Sequence, residues 1–332
     1  MPEGAASGVG IGIGVVVIGR NEGERLRRCL LSLLGRAECV VYVDSGSTDG
    51  SVAAARALGA VVHELDVATP FTAARARNAG ATVLERTAGR LGLVQFVDGD
   101  CEVAPGWLGA ATAFLAKHAE VVAVCGRRRE RHPDRSVYNL LCDLEWNTPV
   151  GAAKACGGDV LVRADAFRAV GGYRATLIAG EEPELCIRLR AAGGSIWRLD
   201  EEMTLHDAAM TRIGQWWKRS MRTGFAFAEG AHLHGAPPER HWVRESRSAW
   251  FWGLGLPSAL VVGGFAHPAV LLGFALYPLQ VARLYVRGGG ESRGRLARAF
   301  FLVIGKFAEA AGQARYVAQR VFHSRSRLIE YK

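Results

Sequence analysis

Three short apolar runs, each stopping at a cluster of small and polar residues, constrain the fold of this chain more than any other feature. IGIGVVVI (residues 11–18) stops at Gly-Arg-Asn-Glu, CVVYV (39–43) at Asp-Ser-Gly-Ser-Thr-Asp-Gly, and LGLVQFV (91–97) at Asp-Gly-Asp. Runs of this length suit strands buried on both faces and are too short to cross a bilayer. Helical patterns separate them. Leu26, Leu30, Leu33 and Leu34 share one face, with Asn21 as the expected cap and Glu22 and Glu24 in the first turn. A Ser/Gly/Asp turn leads into SVAAARALG, and VVHEL is followed by TAARARNAGATVLERT. Strand and helix in alternation predict a parallel sheet, in which ligands sit at the carboxyl ends of the strands, so the three polar clusters converge on one crevice.

Further along, VVAVCGRRRERHP reads as a strand and a basic loop carrying Arg127, Arg128, Arg129, Arg131 and Arg135. That loop is either solvated or membrane-facing, or it binds an acceptor's phosphate. A helix is expected around Val137 to Glu145, then a strand and short helix in GGDVLVRADAFRAVGGY. GEEPELCIRLRAAGG reads as a helix opened by acids and closed by glycine, and SIWRLD and MTLHD as two short strands. The expected class is α/β: a mixed, mainly parallel, Rossmann-like sheet flanked by helices over 11–240, followed by a membrane-associated helical region.

Ser248 to Ala282 holds no charged residue across 35 positions. One helix of that length would measure about 52 Å against a hydrocarbon core of about 30 Å, and Pro257, Pro268 and Pro278 interrupt it. A break at Ala266-His267-Pro268 makes a hairpin over 248–285, either spanning or re-entrant; a buried helical pair is the competing reading. Arg244 and Arg247 precede it and Arg283 and Arg287 follow, which puts both flanks on the cytoplasmic side of the cell membrane.

Residues 290–332 read as a basic amphipathic helix and tail, with Phe300, Val303, Ile304, Phe307, Ala311 and Ala314 on one face, suited to lying in a membrane interface. The net charge of +9 is concentrated here, for Arg283 to Lys332 carries eleven basic and three acidic residues. Such charge suits anionic phospholipid or nucleic acid, and no nucleic-acid-binding motif accompanies it, so phospholipid is the expected partner. Seven widely spaced cysteines without a C-x-x-C pair point to a reduced compartment and no zinc site. MPEGAASGVG lacks a basic n-region, so no signal peptide is expected.

The order of motifs, strand-GRNE, strand-VDSGSTDGS, ARARNAG, strand-DGD, GGDVLVRADAFRAVGGY, GEEPELCIRLRAAG and LHD, resembles the inverting family 2 glycosyltransferases of GT-A fold over roughly residues 13–230. The resemblance implies that Gly19, Arg20, Asn21, Glu22, Asp44 and Ser47 surround the nucleobase and ribose of a nucleotide-diphosphate sugar, with Arg77 and Asp98 also against the nucleotide. From the residues alone, Asp98 and Asp100 are expected to project to one side of an extended segment, and hard carboxylate oxygens so placed suit Mg²⁺ or Mn²⁺. A solvated turn is the competing reading. Glu181 and Glu182 stand where the family carries Glu-Asp, whose second acid is the general base, which implies Glu182 as base with Glu181 as the competing candidate. Two acids at a helix start are also explained by the helix dipole.

The resemblance further implies that His206 is a metal-binding or phosphate-facing residue, or a structural histidine. Gly157, Gly158 and Asp159 look like the acceptor-side turn, unless the glycines only permit a tight bend. Gln215-Trp216-Trp217-Lys218-Arg219 is similar to a signature of processive synthases but has Ser220 where a tryptophan closes that motif, so long-chain polymerisation is not expected. Trp216 and Trp217 are an acceptor-sugar platform or a membrane anchor. The expected activity is metal-dependent, inverting transfer of a single sugar to a lipid-linked or glycan acceptor. A sugar-nucleotide nucleotidyltransferase, for which GRNEGERL is a poor phosphate loop, and a non-catalytic membrane scaffold are the alternatives.

Overall fold

The computed structural model describes residues 12–288 and 294–322. The amino-terminal stretch with Ile11 and the tail segments 289–293 and 323–332 lie outside the described residues. The chain divides into two units: Met1–Arg129, Thr148–Ala175 and Leu185–His206 form the first, and Glu130–Asn147, Thr176–Glu184 and Asp207–Lys332 the second.

The first unit is built on a mixed sheet, nine-stranded among the described residues. Its strands are β1 (Ile13–Gly19), β2 (Cys39–Asp44), β3 (Val61–Glu64), β4 (Leu93–Asp98), β5 (Cys101–Val103), β6 (Val121–Glu130), β7 (Gly151–Ala152), β8 (Val160–Arg163) and β9 (Ser195–His206). Their order is β3-β2-β1-β4-β8-β6-β9-β5, with β7 on β9. The first four are parallel, and β8 turns antiparallel against β4 and β6.

Successive residues of β1 serve opposite faces, as the pleat requires. Val15 and Val17 pack with Leu26 and Leu30 of α1 (Glu24–Leu31), while α2 (Ser51–Ala57) follows β2. Val16 and Ile18 pack with Ala74, Ala76 and Leu84 of α3 (Ala73–Ala88) on the other face. Leu108, Ala111 and Leu115 of α4 (Trp107–Lys117) complete the first core. Phe167 of α6 (Ala164–Ala169) and Leu185 and Leu189 of α7 (Glu181–Ala191) complete the second, and α5 (Val137–Trp146) belongs to the second unit.

Two expectations are corrected. The basic loop begins later than its charges implied: Arg127, Arg128 and Arg129 lie within β6, and the first two are buried. Acidic partners on neighbouring segments make this possible, since Arg129 Nε donates to Glu202 of β9 at 3.1 Å and Arg128 Nε to Asp159 at 3.1 Å. SIWRLD and MTLHD are one 12-residue strand, because its exposed acidic centre remains extended between the segments paired with β7 and β5.

The second unit is helical. It contains α8 (Ile213–His234), α9 (Val243–Trp250), a π-helical turn (Phe251–Gly255), α10 (Leu256–Ala266), a 3₁₀ segment (Pro268–Ala275), α11 (Leu276–Arg287) and α12 (Arg295–Val321). Val243–Ala266 and Pro268–Arg287 are each long and apolar enough to cross a membrane, and the chain breaks between them at His267 as the sequence predicts. Val262, Phe265, Leu272 and Leu279 are exposed on this pair.

α12 packs against α8 through small residues. Phe300, Ala311 and Ala314 are exposed, whereas Gly305, Ala308 and Gly312 are buried with Val303 and Ala310. The reason is close helix packing: a Cβ at Gly312 would strike the Met221 carbonyl of α8, and one at Gly224 would strike the Glu309 backbone of α12.

Candidate active site

The register of the parallel strands assembles the polar clusters. Gly19 stands opposite Asp44, and Ile18 opposite Asp98, so the ends of β2, β1 and β4 lie side by side. The loop after β1 is latched to the loop after β2: Asn21 N–H donates to Ser47 Oγ at 2.9 Å, and Asn21 Oδ1 accepts from Thr48 N–H at 2.7 Å. Asn21 therefore does not cap α1, whose cap position is Gly23. The side chain instead supports a left-handed Asn21 backbone (φ 55°), a conformation asparagine tolerates. Arg20 is exposed beside it, and Glu22 pairs with Arg25 at 2.7 Å.

Asp44 is buried and shapes its own turn. Oδ2 accepts from Gly46 N–H at 2.9 Å and Ser47 N–H at 2.8 Å, and Oδ1 accepts from the Tyr42 hydroxyl at 2.7 Å. Burial, reinforced by that carboxylate, raises the Tyr42 pKa. Asp44 thus holds the loop that presents Ser47.

Asp98 and Asp100 do not lie in an extended segment as expected. Gly99 and Asp100 form a turn between β4 and β5, tied down by Gly99 N–H donating to the Ile18 carbonyl at 2.8 Å. The two acids consequently have different surroundings. Buried Arg77 donates through Nη2 to Asp98 Oδ1 at 2.7 Å, and Arg128 lies 3.7 Å from Oδ2. The Asp98 side chain is 30% exposed, whereas that of Asp100 is 2% exposed and faces His206, with Nε2 3.3 Å from Oδ1. Pairing of Cys101 with His206 on β5 and β9 brings these side chains together. Asp100, Cys101 and His206 offer ligand atoms within 4.8 Å of one another. Carboxylate plus imidazole fits a divalent ion such as Mn²⁺, and Arg77 already occupies Asp98.

Asp159 is not an acceptor-facing residue. It is fully buried and holds the site from behind: Oδ1 accepts from Asp98 N–H at 3.0 Å, and Oδ2 accepts from Thr204 Oγ1 at 2.8 Å and pairs with Arg128 Nη2 at 2.8 Å. Burial alone would lower the Arg128 pKa, and the Asp159 charge outweighs it and raises the pKa. Gly157 and Gly158 lead into it with φ 89° and 114°, and a Cβ at Gly158 would sit 2.9 Å from the Arg128 guanidinium. Sequence reasoning placed Arg128 in a loop and missed Thr204; a buried arginine in a strand is recognisable only once its carboxylate is known.

Glu181 and Glu182 open α7 and are both buried. Within the second unit, Gly180 (φ 76°) has the Trp242 ring 2.8 Å from where a Cβ would stand, and Glu184 Oε1 lies 3.1 Å from His234 Nε2. Trp216 is neither platform nor anchor: it is buried, its ring 4.8 Å from that of Phe301 and 6.5 Å from that of Tyr138. Trp217, half-buried, packs against the same cluster.

Residues 14–166 match the family described as Glycosyl transferase family 2. A mannosyltransferase from Pyrobaculum calidifontis, solved with GDP-mannose and Mn²⁺, is 19% identical with a TM-score of 0.55, covering 93% of this chain and 86% of that one. S. aureus TarS (residues 1–349) is 15% identical with a TM-score of 0.50, covering 92% and 91%. Mycobacterium tuberculosis glucosyl-3-phosphoglycerate synthase, solved with Mn²⁺ and UDP-glucose, is 19% identical with a TM-score of 0.50, covering 69% and 80%. No curated protein matches the chain. The fold is that of the GT-A glycosyltransferases, with a family 2 glycosyl transferase match over its first half.

Proposed function

We propose that this protein transfers a single sugar from a nucleotide-diphosphate sugar to an acceptor hydroxyl, with inversion at the anomeric carbon. The observation that carries the reading is the Asp100–His206 pair, 3.3 Å apart, beside three strand ends that bring Gly19, Asp44 and Asp98 into register. The structural neighbours were solved with GDP-mannose and UDP-glucose, which supports a donor of that class.

In this reading Arg20, Asn21, Glu22 and Ser47 line the nucleoside, with Asp44 holding their loop, and the partly exposed Asp98, steadied by Arg77, accepts from the ribose. Asp100 and His206 would hold Mg²⁺ or Mn²⁺, which when bound neutralises charge on the departing diphosphate. Glu182 takes the acceptor hydroxyl proton as that oxygen bonds to the anomeric carbon and the bond to the nucleoside diphosphate breaks. Gly157 and Gly158 bend the chain on the acceptor side. Residues 11–240 are the catalytic part and 248–285 a membrane hairpin. The arginines flanking the hairpin support a cytoplasmic site, and the exposed apolar pair supports a lipid-linked acceptor.

The test is incubation of the intact protein with a panel of UDP-, GDP-, CMP- and dTDP-sugars, Mn²⁺ and a membrane lipid extract. Release of one nucleotide with labelled lipid product is expected. Absence of metal-dependent turnover with every donor would overturn the reading.

A further inference from the structure

Two aromatic rings form a neck where the apolar hairpin leaves the rest of the second unit. Trp252 and Tyr277 have ring centroids 5.7 Å apart, and the Tyr277 hydroxyl donates to the Trp252 carbonyl at 2.7 Å. Both sides of the neck lie on α12: a Cβ at Gly253 would strike the Lys306 carbonyl, and the Tyr277 ring stacks on Phe307 at 5.5 Å. Before the neck, Ser246 of α9 exchanges hydrogen bonds with Gln313. After it, the Arg295 guanidinium lies 5.8 Å over the Tyr285 ring of α11. α9 and α11 therefore run along α12, whose Arg298, Lys306, Glu309, Arg315 and Arg320 are costly in hydrocarbon. The chain beyond the neck, 254–276, is the part left to enter a membrane.

That part is one leaflet deep. α10 has 11 residues and the 3₁₀ segment has 8, so each arm reaches about 16 Å, against about 30 Å for a whole hydrocarbon core. The arms pack on each other: a Cβ at Gly263 would stand 2.9 Å from Val270, and one at Gly273 would strike Leu260. Val261, Val262, Phe265, Leu271 and Leu272 are exposed around them. The turn between the arms satisfies its own backbone. His267 N–H donates to the Gly263 carbonyl at 2.9 Å, the His267 carbonyl accepts from Val270 N–H at 3.0 Å, and His267 Nδ1 accepts from Ala269 N–H at 3.3 Å. Hydrocarbon offers no partner to such groups, so a hydrogen-bonded turn is what burial of the tip demands.

We propose that 254–276 is a re-entrant loop that dips into a single leaflet of an anionic membrane and turns back at His267, so that neither arm is a span. The inference rests on the reading of 248–285 as a membrane hairpin and adds its depth. Arg244, Arg247, Arg283 and Arg287 are exposed on the stretches outside the neck, where they meet the headgroup phosphates. Trp252 and Tyr277 then stand at headgroup level, the depth that suits an aromatic ring with a polar edge. Insertion from one side leaves α8, α9, α11 and α12 together on that face.

The experiment uses right-side-out and inverted vesicles from cells making the full-length chain, and a membrane-impermeant maleimide that adds a mass tag to an accessible cysteine. The wild type gives the background from the native cysteines. Arg287→Cys, outside the neck, should gain one tag from one side of the membrane. His267→Cys and Phe265→Cys should each stay at background from both sides and gain one tag once the vesicles are dissolved in SDS. Tagging of either tip variant from the side opposite to Arg287→Cys would mean two spans, and would overturn the proposal while leaving the hairpin in the membrane. Tagging of both tip variants from the same side as Arg287→Cys would overturn the membrane reading together with the proposal.

Discussion

The backbone N–H of Asp98 donates to Oδ1 of Asp159 at 3.0 Å, joining the end of β4 to a buried carboxylate 61 residues further on. Through its other oxygen Asp159 holds Arg128 and Thr204. One fully buried acid thus fixes the strand end that carries Asp98 and the turn that carries Asp100.

Removing that acid should be costly. Asp159→Ala leaves the Arg128 guanidinium buried without its main counter-charge, and loss of one partner of a buried pair typically costs about 3–5 kcal/mol. Chemical denaturation should show a fall of that size, with Asp159→Asn intermediate. An unchanged midpoint in Asp159→Ala would refute the structural role.

Asp100 and His206 should govern metal dependence. Asp100→Asn and His206→Ala should each weaken Mn²⁺-dependent donor binding by at least the roughly 10–100-fold that follows loss of an outer-shell partner. Calorimetric titration measures this, and excess EDTA should abolish turnover in the wild type.

Glu182 should affect the chemical step alone. Glu182→Gln is expected to lower kcat about 10²–10⁴-fold, the range of general-base contributions, with donor Kd little changed. Glu181→Gln should be milder; were it the more damaging change, the assignment would pass to Glu181.

The exposed apolar pair should carry membrane attachment. Phe265 is 88% exposed and Leu272 77%. An aspartate at each position costs about 2.5–3.5 kcal/mol in a hydrocarbon core, so the double variant should leave the membrane pellet while retaining its helical circular dichroism. Truncation at residue 248 is the poorer test, because it strips α12 from α8.

The α8–α12 contact has its own signature. Gly312→Ala must push the two helices apart at the Met221 carbonyl, which should cost about 1–3 kcal/mol as overpacking does elsewhere.

The sheet was legible because Val15 to Ile18 and Val41 to Val43 are apolar at every turn of the pleat, and Leu93 to Val97 at every one but Gln95, a pattern that suits strands covered on both faces. The placement of the polar clusters at strand ends followed from it. Charge misled the reading of β6: Arg128 looks like a loop residue until Asp159, a partner distant in sequence, is brought to the strand. The face that α12 buries was not legible, because it is set by how closely Gly312 lets the α8 backbone approach. Trp216 reads as a surface residue because its neighbours Phe301 and Tyr138 are remote in sequence.

The measurement that tests the proposed donor site most directly is thermal unfolding of the intact protein against the nucleotide-sugar panel, with and without Mn²⁺, in the wild type and in Asp100→Asn. A true donor at 100 times its Kd stabilises the folded state by about 2.7 kcal/mol. One nucleotide-diphosphate sugar should raise the unfolding temperature in the wild type with Mn²⁺ present, and should fail to do so without the ion or in Asp100→Asn. No shift with any donor, or an equal shift in Asp100→Asn, would contradict a metal-dependent sugar-nucleotide site at the end of β4.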